Sequence, residues 1–352
     1  MYDELSARFL RKGRQPHDLL RALRIGCHQL FALDQVPPHA ACATSVELIH
    51  RHCDNRLSGV ANAVLRRLSE LRLAERTGDG PLGRLDAAQW PKDPAVLASL
   101  PDRLVNDLRP QLIGDERAQL LALNHMPPLC TRTRPGFSPP TGRSILRQDG
   151  EWTWWSDPQE ALHGVVEAKR AVVQDRAQGY VVETSAARPG QLVLDLCSAP
   201  GGKALAFADR GCRVFAGDLQ LSKLSRMREN LGATIPILAQ NGARPALAAA
   251  FDIVIADVPC SNTGVLARRP EARLRYHPKA LNSLHDLQRK ILQAAARLVL
   301  ADGKLVYSTC SITPHENQGI AHSLNGWRIL AEHSCWPDQW QAGGYVAVLV
   351  RS

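Results

Sequence analysis

Two apolar runs in the second half of the chain each deliver a thiol into a turn. Phe251-Asp-Ile-Val-Ile255 runs into Ala256-Asp-Val-Pro-Cys-Ser-Asn-Thr-Gly264, and Lys304-Leu-Val-Tyr-Ser-Thr309 ends in Cys310. Asp257 and Cys260 therefore leave one strand together, and Cys310 closes another. A thiolate is a strong nucleophile and a nearby carboxyl can hold or give a proton, so the set suits covalent catalysis by a nucleophile with a helper. Metal binding fits poorly, because no second Cys or His stands at ligand spacing. None of the nine cysteines belongs to a CxxC pair, which argues against a zinc ribbon or a disulfide framework. Two independent structural cysteines are the alternative reading of Cys260 and Cys310.

A third segment, Asp195-Leu-Cys-Ser-Ala-Pro-Gly-Gly-Lys203, closes the apolar run from Gln191. Its glycines permit a tight turn and close approach of a ligand to the backbone at the start of a helix. A phosphate loop would need Gly where Cys197 stands and Ser or Thr where Ala204 stands, and no GxGxxG follows a strand. ATP and NAD are poor candidates for that reason. Asp218, at the end of Phe215-Ala-Gly-Asp218, is placed to bind the two hydroxyls of a ribose, or alternatively to cap the next helix. Together with the loop Cys197–Lys203 it favours a nucleoside cofactor without a pyrophosphate, and S-adenosylmethionine fits that description.

The elements that must position these residues are legible from about residue 188 onward. Apolar strands are expected at Gln191–Cys197, Arg213–Asp218, Ile235–Gln240, Phe251–Val258 and Gly303–Cys310, with helices at Gly202–Asp209, Ser222–Leu231 and Leu284–Leu300. This alternation predicts a doubly wound α/β domain, Rossmann-like, with a mostly parallel sheet. Two late strands near Trp327–Ala331 and Gly344–Val350 should form a hairpin and leave an antiparallel last strand at one edge. In the order 3-2-1-4-5 the strands bearing Cys260 and Cys310 are neighbours about 4.8 Å apart, so both thiols open into one crevice at the carboxyl ends.

Upstream, residues 16–75 read as helices, with Leu19, Leu20, Leu23, Ile25 and Leu30, then Val46, Leu48 and Ile49, then Val60, Ala63, Val64 and Leu68 at helical spacing. The basic side of Asn55–Arg67 is either a solvated flank or an RNA contact. Thr77-Gly-Asp-Gly-Pro-Leu-Gly83 reads as a linker. Ala95–Asn124 is helical with breaks at Pro101 and Pro110, Leu129–Arg134 is strand-like, and Glu151-Trp-Thr-Trp-Trp155 is either a stacking platform for bases or core packing. The expected organisation is a helical domain over 1–76, a linker over 77–93, a small α+β subdomain over 94–170 and the α/β domain over 171–352.

The chain has 352 residues, 45% hydrophobic, and a formal charge of +9. A basic balance favours a polyanionic partner such as nucleic acid, with a merely basic enzyme as the equal alternative. No apolar run approaches the roughly 20 residues of a membrane span, and the start MYDELSARFL carries acids where a secretory signal would not. A soluble, cytoplasmic, monomeric protein is expected.

The segments LDLCSAPGGK, FAGD, IADVPCSNTG and VYSTCSITPHEN resemble, in order, the motifs of RNA 5-methylcytosine methyltransferases, and most closely the bacterial Sun/Fmu type that modifies 16S ribosomal RNA. Val173-Gln-Asp-Arg-Ala-Gln178, Arg268-Arg-Pro270 and the N-terminal LRIGCHQLFALDQVPPHAA and NAVLRRL are similar to further segments of that type, the last two to its NusB-like RNA-binding domain. The resemblance implies that Cys310 adds to carbon 6 of cytosine, that Asp257, protonated with the help of burial, supports ring nitrogen 3, and that Cys260 assists loss of the carbon 5 proton and release of Cys310. Lys203 would lie beside this pocket, a surface lysine being the alternative. The implied cofactor-binding set is Cys197, Ser198, Ala199, Pro200, Gly201, Gly202, Lys203, Asp218, Asn241 and Asp257, for S-adenosylmethionine, with RNA as partner and no metal or membrane.

Three features depart from the type. Asn241-Gly242 replaces the usual Asp-Gly, although an amide carbonyl can still accept a hydrogen bond from adenine. The N-terminal helical region begins abruptly, as if short of its first helices, and QAGGYVAVLV lacks the acidic and aromatic residues expected before the last strand. Competing readings are the same chemistry on transfer RNA or large-subunit RNA, and a non-catalytic RNA-binding assembly factor on the same scaffold.

Overall fold

The computed structural model describes residues 1–77 and 82–352. Its contacts divide the chain into two units, Met1–Asp102 with Ile113–Asn124, and Arg103–Leu112 with His125–Ser352.

The first unit is helical. Helices Tyr2–Ala7, His17–Phe31, Pro38–His52 and Arg56–Glu70 pack their apolar stripes around Leu19, Leu23, Leu30, Phe31, Ile49, Leu65 and Leu68. Pro38 opens the third of these helices, where a missing N–H costs nothing. Ile25, Leu48 and Val60, which share the helical spacing in sequence, face outward; Ile25 and Leu48 each lie one or two residues from a buried neighbour, on the far side of a 3.6-residue turn. Arg56, Arg66 and Arg67 are exposed. The expected linker over 77–93 is not free chain where it is described. Leu82 and Leu85 are buried in this core, and the Trp90 indole donates to the Leu85 carbonyl at 2.9 Å. Residues 78–81, the centre of that expected linker, lie outside the described residues. The segment 94–170 is divided, its helices Pro94–Leu97 and Glu116–Ala122 belonging to this first unit.

The second unit holds two sheets. A four-stranded antiparallel sheet comprises β1 (Leu129–Thr133), β2 (Ile145–Asp149), β3 (Trp152–Trp155) and β4 (Ala171–Val173) in the order β2-β3-β1-β4. Its three tryptophans, Trp152, Trp154 and Trp155, are buried, so the Trp-rich stretch is core and not a stacking platform for bases. The larger sheet contains β5 (Leu192–Asp195), β6 (Arg213–Asp218), β7 (Ile237–Ala239), β8 (Phe251–Asp257), β9 (Val299–Thr309), β10 (Trp327–Cys335) and β11 (Gly344–Arg351), in the order β10-β11-β9-β8-β5-β6-β7. Strands β5 to β9 pair in parallel, and β11 runs antiparallel to both β9 and β10. The late hairpin forms as expected, but its last strand is inserted between β9 and β10. The edge belongs to β10, whose alternate residues are exposed.

Both faces of the larger sheet are covered, which is why its strands read as continuous apolar runs. Leu194, Val254, Ala256, Leu305 and Tyr307 pack on one side with Ile291 and Leu292 of helix Pro278–Ala296. Val193, Ile253, Ile255 and Val306 pack on the other with Val181 and Val182 of helix Arg176–Ser185 and Phe207 of helix Gly202–Asp209. The chain winds outward from β5 through β6 and β7, then returns to β8 and β9 on the opposite side. The switch point therefore lies between β5 and β8, where an open α/β sheet binds ligands. None of the described helices is long and apolar enough to cross a membrane.

Candidate active site

At the carboxyl end of β5 the chain turns sharply through a cis Ala199–Pro200 bond and Gly201 at φ +104° into helix Gly202–Asp209. The turn is fastened to the end of β6: Ser198 N–H donates to the Gly217 carbonyl at 2.8 Å, and Ala199 N–H to Asp218 Oδ2 at 3.1 Å. The other carboxylate oxygen of Asp218 accepts the Gln220 N–H at 3.0 Å. Asp218 thus satisfies the local chain on both sides and stands at the strand end that the ribose reading requires; it does not cap helix Leu221–Leu231, whose N-cap is Gln220 with no side-chain cap. Asn241 is exposed beyond β7, its Oδ1 accepting the Ala243 N–H at 3.0 Å. Gly242 lies against Cys197, whose sulfur would be 3.0 Å from any added Cβ.

Asp195 escaped the sequence reading. It is wholly buried; the Ser198 hydroxyl and the Cys197 N–H act on its carboxylate, but without the geometry of an ordinary hydrogen bond. Burial, reinforced by the charge of Asp257, pushes the Asp195 carboxyl up to about 7. Burial also pushes the Cys197 thiol up. A buried carboxylate and hydroxyl so weakly satisfied at the switch point suit a ligand that brings a positive charge and hydrogen-bond donors.

On the β8 side Asp257 is held by two side chains. Lys203 Nζ donates to Oδ2 at 2.6 Å and Ser308 Oγ to Oδ1 at 2.8 Å. Ser308 is the register partner of Asp257 in the β8–β9 pair, so sheet geometry makes this contact. The Asp257 side chain is 24% exposed and lies against the Lys203 ammonium. Lys203 itself is buried, not a surface lysine. Burial acts against its charge, but Asp257 and Cys310 outweigh that and raise its pKa.

The two thiols lie near enough for the charge of Cys310 to act on Cys260. The turn after Cys260 is sewn to the turn after β9 by Gly264 N–H donating to the Cys310 carbonyl at 2.9 Å. The knot between the turns is Glu316, another residue the sequence reading did not single out. It is fully buried and accepts from Ser261 N–H at 2.8 Å, Gln288 Nε2 at 3.0 Å, Ser311 Oγ at 2.7 Å, Thr313 Oγ1 at 3.1 Å and the Ser261 hydroxyl. Helix Arg176–Ser185 contributes Gln178, whose Nε2 donates to Cys310 Sγ at 3.3 Å and whose Oε1 accepts from Lys203 Nζ. Asp175, which caps this helix at Ala177 N–H (3.0 Å), also accepts from Arg268 at 2.6 Å and from Ala342 N–H at 3.1 Å.

The thiols differ electrostatically. Burial pushes Cys260 well up, and the charges of Cys310 and Glu316 push it further. Burial raises Cys310 as well, as do the charges of Asp257 and Asp175, while Lys203 and the Gln178 amide oppose that rise without cancelling it. Cys310 has a cation and a side-chain N–H donor beside it; Cys260 has the Asn262 backbone N–H, with the charges of Cys310 and Glu316 set against its thiolate.

Comparison with known proteins matches this geometry to named relatives. The family described as 16S rRNA methyltransferase RsmB/F matches residues 183–333, and the NusB family matches residues 1–70. A probable ribosomal RNA small subunit methyltransferase B of Synechocystis sp. is 31% identical over 93% of this chain and 77% of that protein. The ribosomal RNA small subunit methyltransferase B of Xanthomonas campestris pv. campestris is 31% identical over 90% of this chain and 74% of that protein. Among solved structures, PH0851 aligns with a TM-score of 0.72 at 19% identity, covering 95% of this chain and 82% of that one; at that identity the likeness is one of fold.

Proposed function

The chain belongs to the RsmB/F family of 16S ribosomal RNA methyltransferases, and on that premise we propose that it methylates carbon 5 of a cytosine in small-subunit ribosomal RNA through a covalent Cys310 adduct. The observation that carries this reading is the asymmetry of the two thiols, one flanked by Lys203 and Gln178, the other by Glu316 and the first thiol.

S-adenosylmethionine is the cofactor, and the crevice suits it. Asp195 and Ser198 would hold its charged methionine end through their buried oxygens, Asp218 the ribose, and Asn241 the adenine edge, beside the backbone of Cys197–Gly202. When bound it supplies an electrophilic methyl group on a sulfonium.

The protein's own residues prepare the cytosine. Carbon 5 is a weak nucleophile until a group adds at carbon 6. The Cys310 thiolate forms the sulfur–carbon 6 bond, and the displaced electron pair is received at the ring's nitrogen 3 side. Asp257 passes a proton from Lys203, 2.6 Å away, onto that nitrogen, and takes it back when the carbon 4–nitrogen 3 double bond re-forms after methylation. Carbon 5 is then enamine-like and takes the methyl group. Cys260 assists removal of the carbon 5 proton; the electron pair of that C–H bond restores the ring double bond and expels the Cys310 thiolate. Pro259 fixes the turn that carries Cys260. A cytosine stacked in a helix could not reach this crevice, so the target is unpaired or turned out of its stack. The exposed Arg56, Arg66 and Arg67 of the NusB-like helices supply phosphate contacts away from the reacting base.

The test is transfer of labelled methyl from S-adenosylmethionine to RNA from cells lacking this gene, wild type beside Cys310→Ala. Label recovered as 5-methylcytosine with the wild type alone supports the reading. Equal labelling by both proteins refutes the nucleophile, and cofactor binding without labelling of either free RNA or small-subunit particles favours the assembly-factor reading.

A further inference from the structure

Gln178 sits 132 positions before Cys310 in sequence yet donates its Nε2–H to that sulfur at 3.3 Å. Its orientation is dictated chemically. Lys203 Nζ has only donors to offer, so it must meet the carbonyl oxygen of the amide, and the contact between Nζ and Oε1 turns the NH2 group toward Sγ. We infer that Gln178 is a catalytic residue that relays the polarisation of the Lys203 ammonium to Cys310, stabilising and aiming the thiolate that attacks the base. This rests on the reading of Cys310 as the nucleophile.

Three observations support it beyond the contact itself. The side chain leaves the first turn of helix Arg176–Ser185, and Asp175 pins that turn to Arg268 and to Ala342. The next residue, Gly179, lies directly against the Trp152 indole, where a Cβ would overlap the ring. Arg176 is stacked between the Trp152 ring at 5.1 Å and the Tyr180 ring at 4.0 Å. The helix start is therefore fixed on several sides, as a group that aims a sulfur must be. The charged groups acting on this sulfur are Lys203, Asp257 and Asp175, with the Cys260 thiol across the crevice; of these only Lys203 favours the thiolate. An amide N–H that draws strength from Lys203 adds to that cation. A purely structural glutamine would not need its donor aimed at sulfur.

The test compares wild type, Gln178→Leu and the isosteric Gln178→Glu as full chains. Iodoacetamide labelling at a series of pH values, with the Cys310 peptide quantified by mass spectrometry, reports thiolate formation without turnover. Methyl transfer to RNA is measured alongside. Loss of a donor to a charged sulfur should shift the labelling profile of Gln178→Leu upward by about one pH unit and cut turnover about tenfold, with the KM for S-adenosylmethionine within about twofold. Gln178→Glu keeps the shape, loses the donor and neutralises Lys203, so its profile should move further. An unshifted profile and turnover within about twofold in both variants would overturn the inference while Cys310→Ala remains inactive. If Cys310→Ala still methylates, the covalent reading fails and this inference fails with it.

Discussion

The two sides of the crevice are built differently. Around β5 and β6 the surface proposed for the cofactor is local: a tight turn, glycines at strand ends, and polar side chains such as Asp218 tied to their own neighbouring N–H groups. Around β8 and β9 the surface for the base is made by side chains from distant segments, joined through Glu316, Lys203 and Gln178. The first side accommodates a ligand that is much the same from one methyltransferase to the next. The second surrounds two thiols with different side-chain partners, Lys203 and Gln178 acting on Cys310 and Glu316 on Cys260.

Substitutions on the two sides should therefore fail in different ways. The largest effect is expected for Glu316→Ala, which strips the acceptor from five donors and leaves them buried. Denaturant unfolding should show a loss of roughly 3–5 kcal/mol. Next come the glycines. A Cβ at Gly264 would strike the Gly343 backbone and lie 2.9 Å from the Cys310 carbonyl oxygen, whereas a Cβ at Gly217 meets the end of the Gln240 side chain, which can move. Gly264→Ala should cost about 2–3 kcal/mol and most of the activity, and Gly217→Ala under about 1 kcal/mol. Asp218→Ala should weaken S-adenosylmethionine binding about tenfold by calorimetry, with a smaller change in unfolding free energy. The smallest effect belongs to Asn241→Asp, which keeps an acceptor for adenine at that position and should change cofactor affinity by no more than a few-fold. A loss of stability at Asp218 as large as that at Glu316 would erase the distinction between the two sides.

The sequence is most readable where chemistry and strand ends coincide. β6 and helix Gly202–Asp209 fall at the boundaries read from pattern alone, and Asp257, Cys260 and Cys310 stand out because each follows an apolar run. β9 was misjudged at its start: Leu298, Val299 and Leu300 continue the apolar pattern of the preceding helix, yet Val299 already pairs with Phe251 in the sheet. The position of β11 was missed because hairpin signals specify pairing and not insertion. Gln178, Glu316 and Asp195 were invisible for a common reason. Their roles depend on partners brought together by the sheet, and Glu316, inside Thr313-Pro-His-Glu-Asn317, reads locally as a solvated loop acid.

The central claim, that Cys310 attacks and Cys260 releases, is tested most directly by incubating Cys260→Ala with substrate RNA and S-adenosylmethionine and running the mixture on a denaturing gel. The account predicts a slow protein–RNA band that survives denaturation and disappears in Cys260→Ala/Cys310→Ala. Normal release of methylated RNA by Cys260→Ala, or a band that persists without Cys310, would contradict it.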